Sequence, residues 1–148
     1  MTFRSQIWAV ILLCAPLPAL ASPAVTLASA VYVEHTKQHG DTEIRALEPA
    51  RQLAHGDRVV TLVSWYMLGG SGGFTVVNAL PPGLAYQTSA DGDEDVSIDG
   101  GKSWGKLAQL HRGARHATPE DVTHVRWHVS PRQAMNGAGR IAYSGFVR

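Results

Sequence analysis

Asp57-Arg-Val-Val-Thr-Leu-Val-Ser-Trp-Tyr-Met-Leu68 runs into Gly69-Gly-Ser-Gly-Gly73. Phe74-Thr-Val-Val-Asn-Ala-Leu80 follows, closed by Pro81-Pro-Gly-Leu84. Both apolar runs are rich in β-branched residues, and both are bounded by turn formers. Such side chains pack well on a pleated surface and lose rotamer freedom in a helix, so the runs read as strands. The glycine stretch is too short to separate domains. It reads as a mobile loop between consecutive strands.

The same reading extends outward. Val25 to Glu34 is a first strand, and Glu43 to Leu47 a short one before the turn at Glu48-Pro49-Ala50. Leu84 to Ser89 extends after the prolines, which mark a strand end because they cannot donate to a ladder. Val96 to Asp99 and Ser103 to Leu107 are expected to pair as a hairpin around Gly100-Gly101. Gly105 to Thr118 is basic and loop-like. Thr118-Pro-Glu-Asp121 has the form of a helical N-terminus, one turn long. His124 to Val129 alternates cleanly, with Val125, Trp127 and Val129 on one face and His124, Arg126 and His128 on the other. Ser130 to Gly139 is a turn region. Arg140 to Arg148 is the last strand, with Ile141, Tyr143 and Val147 in one phase. No segment has the length and period of a long helix. The pattern is that of an all-β sandwich.

The start of the chain reads as an export signal. Arg4 precedes an apolar core at Ile7 to Leu13, Pro16 and Pro18 break it, and Ala19-Leu-Ala21 offers a small-x-small cleavage site. Cleavage is expected after Ala21, dividing the chain into a signal peptide (1–21) and one domain (22–148). The apolar stretch is shorter than the about 20 residues that cross a bilayer. Cys14 follows Leu12-Leu13 rather than the small residue of a lipoprotein signal. It is the one cysteine of the 148 residues, so the trimmed domain has no disulfide and no thiol nucleophile. Its expected place is the periplasm, the cell surface or the medium. Thirteen basic and 12 acidic residues give a net charge of +1. That balance argues against nucleic acid, which demands an excess of Lys and Arg on one face.

Several stretches line up with a known family. Gly56-Asp-Arg-Val-Val60 and Val77-Asn-Ala-Leu-Pro-Pro-Gly-Leu-Ala-Tyr86 resemble the conserved-repeat domain of bacterial surface proteins, domain of unknown function 11. The segment Val96-Ser-Ile-Asp-Gly-Gly-Lys-Ser-Trp104 and the closing strands are similar to its short, exported, single-copy members. The loop Gly69 to Gly73 departs from the Asn-rich text many members carry there. The resemblance implies an immunoglobulin-like antiparallel sandwich of about seven strands in an envelope or secreted protein. It brings no catalytic residues.

Chemistry-bearing patterns are few. Ser97-x-Asp99-x-Gly101-x-x-Trp104 looks like an Asp-box, a β-hairpin in which the Asp binds backbone amides, the Gly takes positive φ and the Trp packs beneath. One copy on a chain too short for a propeller reads as scaffolding. Asp91, Asp93 and Asp95 alternate, but Val96 and Lys102 stand where an EF-hand needs Gly and Glu. A looser calcium site joining Asp91, Asp93 and Glu94 is the alternative to a solvated acidic turn. His124 and His128 lie about 13 Å apart along a strand, too far for one ion. His111 and His116 share a loop with Arg112 and Arg115, read as a positive surface. No nucleophile elbow or phosphate loop occurs. Trp65, Trp104 and Trp127 are expected in the core, with Tyr66 facing out.

These readings assign no catalytic residue, no metal and no cofactor. The expected function is an exported, non-catalytic interaction module of a bacterial envelope. It recognises an envelope or surface protein through the loops Gly69 to Gly73, Ala90 to Asp95 and His111 to His116, and through edge strands. A small carbohydrate-binding module using Trp104 and Tyr86, with a glycan as ligand, is the second reading. A secreted hydrolase is the third.

Overall fold

The computed structural model describes residues 24–40 and 42–148. The expected signal peptide, Met1 to Ala21 with Cys14, lies outside the described residues. Ten strands make up most of the fold: β1 (Ala24–His39), β2 (Thr42–Pro49), β3 (Arg58–Gly69), β4 (Phe74–Ala79), β5 (Leu84–Ser89), β6 (Asp95–Ser97), β7 (His111–Arg112), β8 (Arg115–His116), β9 (His124–Val129) and β10 (Ala138–Val147). One α-helical turn, α1 (Pro131–Ala134), and two 3-10 turns, at Leu107–Gln109 and Pro119–Asp121, complete the chain. A five-stranded sheet in the order β2-β1-β3-β10-β5 stacks on a three-stranded sheet in the order β4-β9-β6. β7 and β8 form a separate hairpin. All pairings are antiparallel.

The alternation of β3 decides which side faces in. Val59, Thr61, Val63 and Trp65 are buried, whereas Tyr66 is exposed. Facing them from the smaller sheet are Val76 of β4, Val96 of β6, and Val125, Trp127 and Val129 of β9, all buried. The Trp65 ring meets Phe74 edge-on at 5.2 Å, and Trp127 lies 5.7 Å from Tyr143. Each Val or aromatic side chain so buried contributes about 1.5–3 kcal/mol relative to exposure. Gly139 lets β10 pass the indole of Trp65, since a Cβ there would lie 2.3 Å from Cζ2.

The all-β sandwich expected from sequence is present, and its details differ in four places. Among the described residues the strands number ten rather than about seven: eight make up the two stacked sheets, and β7 and β8 are two-residue pieces inside the segment expected to be a loop. Gly69 to Gly73 joins consecutive strands as expected, crossing from the larger sheet to the smaller, whereas β1 runs on to His39, past its expected end at Glu34. The expected partner strand Ser103 to Leu107 is absent, and a single bridge, Val96 to Gly105, is all that pairs there. Side-chain hydrogen bonds within 97–104 hold the backbone in a wide turn instead. The turn region Ser130 to Gly139 contains α1, capped by Ser130 Oγ accepting from the Gln133 amide at 3.3 Å while Gln133 Oε1 accepts from the Ser130 amide at 2.9 Å. Pro131 at the first position completes a start signal written in the sequence as Ser-Pro-x-Gln.

Candidate functional site

The Asp-box residues converge as the motif requires. Asp99 Oδ1 accepts from the Ser103 amide at 2.9 Å, the Lys102 amide at 3.1 Å and the Ser97 hydroxyl at 2.7 Å. The Ser103 hydroxyl donates to Asp99 Oδ2 at 2.6 Å. These bonds, led by the Ser103 hydroxyl, hold the Asp99 carboxyl well below the usual carboxylate range. Gly100 and Gly101 take φ of 78° and 86°. The Trp104 indole N–H donates to the Gly101 carbonyl at 2.9 Å. Every group is spent on the turn, so the site is a loop clasp.

Trp104 is only half-buried, against the expectation of a core position. The Arg126 guanidinium lies 4.6 Å from its ring centroid and covers one face by cation–π attraction. Tyr86 is 4 % exposed, and its hydroxyl donates to Glu94. Burial, then that bond, push its ionisation up. The exposed aromatic pair that a sugar would stack on is therefore not formed by Trp104 and Tyr86.

The acidic turn is partly turned inward. Glu94 accepts from Tyr86 and Ser89, and Asp95 pairs with Arg126 at 3.1 Å and Lys106 at 3.5 Å. Asp91 and Asp93 are exposed. Among the described residues no group of three or more His, Cys, Asp or Glu side chains is placed to hold a metal ion.

The loop His111 to His116 is a hairpin whose two histidines face each other at 4.3 Å. Its arginines are not a free positive surface. Arg115 donates to both carboxylate oxygens of the buried Asp121, at 2.6 and 2.8 Å, and Arg112 donates to Oδ1 at 2.9 Å. With the Thr118 amide at 2.9 Å, these bonds hold the Asp121 carboxyl far below its ordinary value, Arg115 leading.

One line of side chains has the order of a catalytic relay. Thr75 Oγ1 lies 3.0 Å from His128 Nδ1, and His128 Nε2 lies 3.8 Å from Asp95 Oδ2. The second distance is too long for a hydrogen bond, and Asp95 already serves Arg126 and Lys106. Thr75 and His128 are exposed on the solvent side of the smaller sheet. Nothing there excludes water or presents donors to a developing oxyanion, so the line has the spacing of a relay without its environment.

The feature with no internal use is an opening in the sandwich. The larger sheet overhangs the smaller by β1 and β2. Leu27, Val31 and Val33 are paired with Trp65, Thr61 and Val59 and so point to the same inner face. Val33 is buried, but Leu27 and Val31 remain 48 % and 42 % exposed. Val31 shares a groove with Asn78 and Ala79 of β4, an outer strand of the smaller sheet. The groove, of about 270 Å³, is lined by Val31, Leu53, Val59, Pro81, Leu84 and Val147 among others, none charged. The Leu80 amide donates to Thr123 next to β9. By alternation, Thr75, Val77 and Ala79 present their backbone N–H and C=O to the unpaired side. The sequence marks Leu27 and Val31 only as members of a strand, Val25 to Glu34. That their cover is missing follows from the sheet order, which no local signal encodes.

The described residues include no helix long and apolar enough to cross a membrane. The chain matches no protein-family model, no curated protein and no solved structure.

Proposed function

We propose that this chain is an exported, non-catalytic interaction module of a bacterial envelope, recognising a protein partner. The observation that carries the reading is the uncovered inner face of β1 beside the unpaired edge of β4. A sandwich that leaves two Leu and Val side chains nearly half-exposed and a ladder edge open keeps an apolar surface available at a cost in stability. The loops expected to recognise the partner are secondary in this reading, because Asp99, Arg112 and Arg115 are engaged in holding their own turns. The immunoglobulin-like type, the single-copy relation to the conserved-repeat family and export after cleavage at Ala21 belong to the same proposal, and they rest on the sequence motifs.

Capture from envelope extract with the trimmed domain, beside its Val31→Glu variant, tests it. The expected result is a stoichiometric protein partner retained by the wild type and lost from the variant, with both forms equally folded by circular dichroism. Recovery of the same proteins by both forms would overturn it, as would turnover of an ester or glycan panel that depends on His128.

A further inference from the structure

We infer that the groove is the seat of a guest β-strand: a single extended segment of another polypeptide that pairs with the open edge of β4 and covers β1. The inference rests on the reading of the chain as a protein-binding module, and it adds what the partner must look like.

Two observations select an extended peptide over other occupants. The edge of β4 offers main-chain donors and acceptors at Thr75, Val77 and Ala79, which only another backbone matches in a repeating ladder. The floor offers Val31 and Leu53, 42 % and 49 % exposed, with Ser29 beside them, and Leu27, four residues before Val31 on the same face of β1, continues the row past the groove. A strand added at β4 sends alternate side chains down onto that floor. The lining carries no charge, so those side chains are neutral and apolar. The opposite set faces solvent and is free to be polar.

β1 has a second open edge from Ala24 to Ala30, which β2 does not reach, but the other outer strands are guarded. β2, the outer strand of the larger sheet, carries Glu43, Arg45, Glu48 and Pro49, the residues that block edge pairing. β6 is three residues long and bridged by Gly105. The 3-10 turn at Pro119–Asp121 lies against β5. β4, reading Phe-Thr-Val-Val-Asn-Ala, has neither charge nor proline.

A second copy of the domain does not fit. An antiparallel twofold at the β4 edge would bring the copy's β1 and β2 into the layer that β1 and β2 already occupy. The protruding end of the β1–β2 hairpin is charged, with Glu34, Lys37, Glu43 and Arg45 on it, and is mismatched to an apolar groove. Among the described residues no segment covers Leu27 and Val31, which stay 48 % and 42 % exposed.

The probe is the synthetic peptide acetyl-Thr-Val-Thr-Val-Thr-Val-Thr-amide, with acetyl-Thr-Glu-Thr-Glu-Thr-Glu-Thr-amide as control. Both are titrated into the trimmed domain, with amide hydrogen exchange followed by NMR. The expected result is saturable binding of the valine peptide alone, with new protection at the amides of Thr75, Val77 and Ala79. Val77→Pro removes an edge donor without touching the core and is expected to weaken binding about tenfold or more. Leu27→Glu, at an already exposed site, does the same from the floor. Without peptide the domain sediments as a monomer. Equal binding of both peptides overturns the inference, as does binding that leaves the three amides unprotected, or a dimer that Val77→Pro dissolves. Failure here with Val31-dependent capture intact would reject the strand mode and leave the interaction module standing. Failure of both would remove the module as well.

Discussion

At the residue scale, close packing around the tryptophans governs what the fold tolerates. Gly139 has ordinary backbone angles, so its role is space rather than conformational freedom. A methyl group there would meet Cζ2, Cε2 and Nε1 of Trp65 at 2.3 to 2.7 Å, and the indole, held edge-on by Phe74, would have to shift to admit it. Gly139→Ala is expected to cost about 1–3 kcal/mol, the usual penalty of overpacking, read as a lower urea midpoint with an unchanged slope. An unchanged midpoint would mean that Trp65 has room the packing does not show. Tyr66, next in the chain and on the other face of β3, is exposed and sets no such limit. The alternation of Trp65 and Tyr66 was readable from sequence because period-two burial is a property of the strand itself. The Arg126 cover on Trp104 was not, because it joins residues on two different segments.

At the element scale, three turns are held by carboxylates that accept from backbone amides, at Asp57, Asp99 and Asp121. That is why the expected strand Ser103 to Leu107 is missing. Asp99 draws the Lys102 and Ser103 amides to itself, and a backbone bound to a side chain cannot also pair in a ladder. Strands were legible wherever β-branched residues alternate, as in β3 and β9. Segments decided by competing side-chain hydrogen bonds were misread. The capping residues Ser130 and Gln133 are a local start signal for α1, set in a stretch whose glycines and polar residues otherwise read as a turn. Asp99 and Asp121 have folded-state ionisation well below their unfolded values. Such groups stabilise the fold above the unfolded carboxyl value, near 4 by about a unit. The stabilisation is lost as pH falls below that value toward the folded-state ones. Urea midpoints measured from pH 6 downward are expected to fall on the acid side. The Asp99→Asn, Asp121→Asn double variant should start lower and fall less steeply. Parallel curves for the two proteins would show that neither carboxylate is tied to its turn in solution.

At the scale of the whole molecule, the two layers are unequal, and that inequality produces the groove. The sequence identifies a strand at Val25 to Glu34 without saying which of its faces is covered. Whether anything lies above either face depends on which strands join which sheet. The glycine loop that carries the chain from β3 to β4 makes that choice, and its composition would serve a hairpin equally well. Unequal layers also imply unequal local stability. β3 and β10 are paired on both sides and covered by the smaller sheet. β2 is paired on one side only and exposed along almost its whole length. Opening β2 uncovers little apolar surface, so it requires far less free energy than global unfolding. Native-state amide exchange should therefore rank β3 and β10 slowest, exchanging only with global unfolding. The amides of β2 should exchange fastest among the long strands, and β1 should lie between. A guest strand over β1 would raise the protection of β1 and β4 together while leaving β2 as it was. If β2 were as protected as β3 in the free domain, the overhang would be a rigid part of the core.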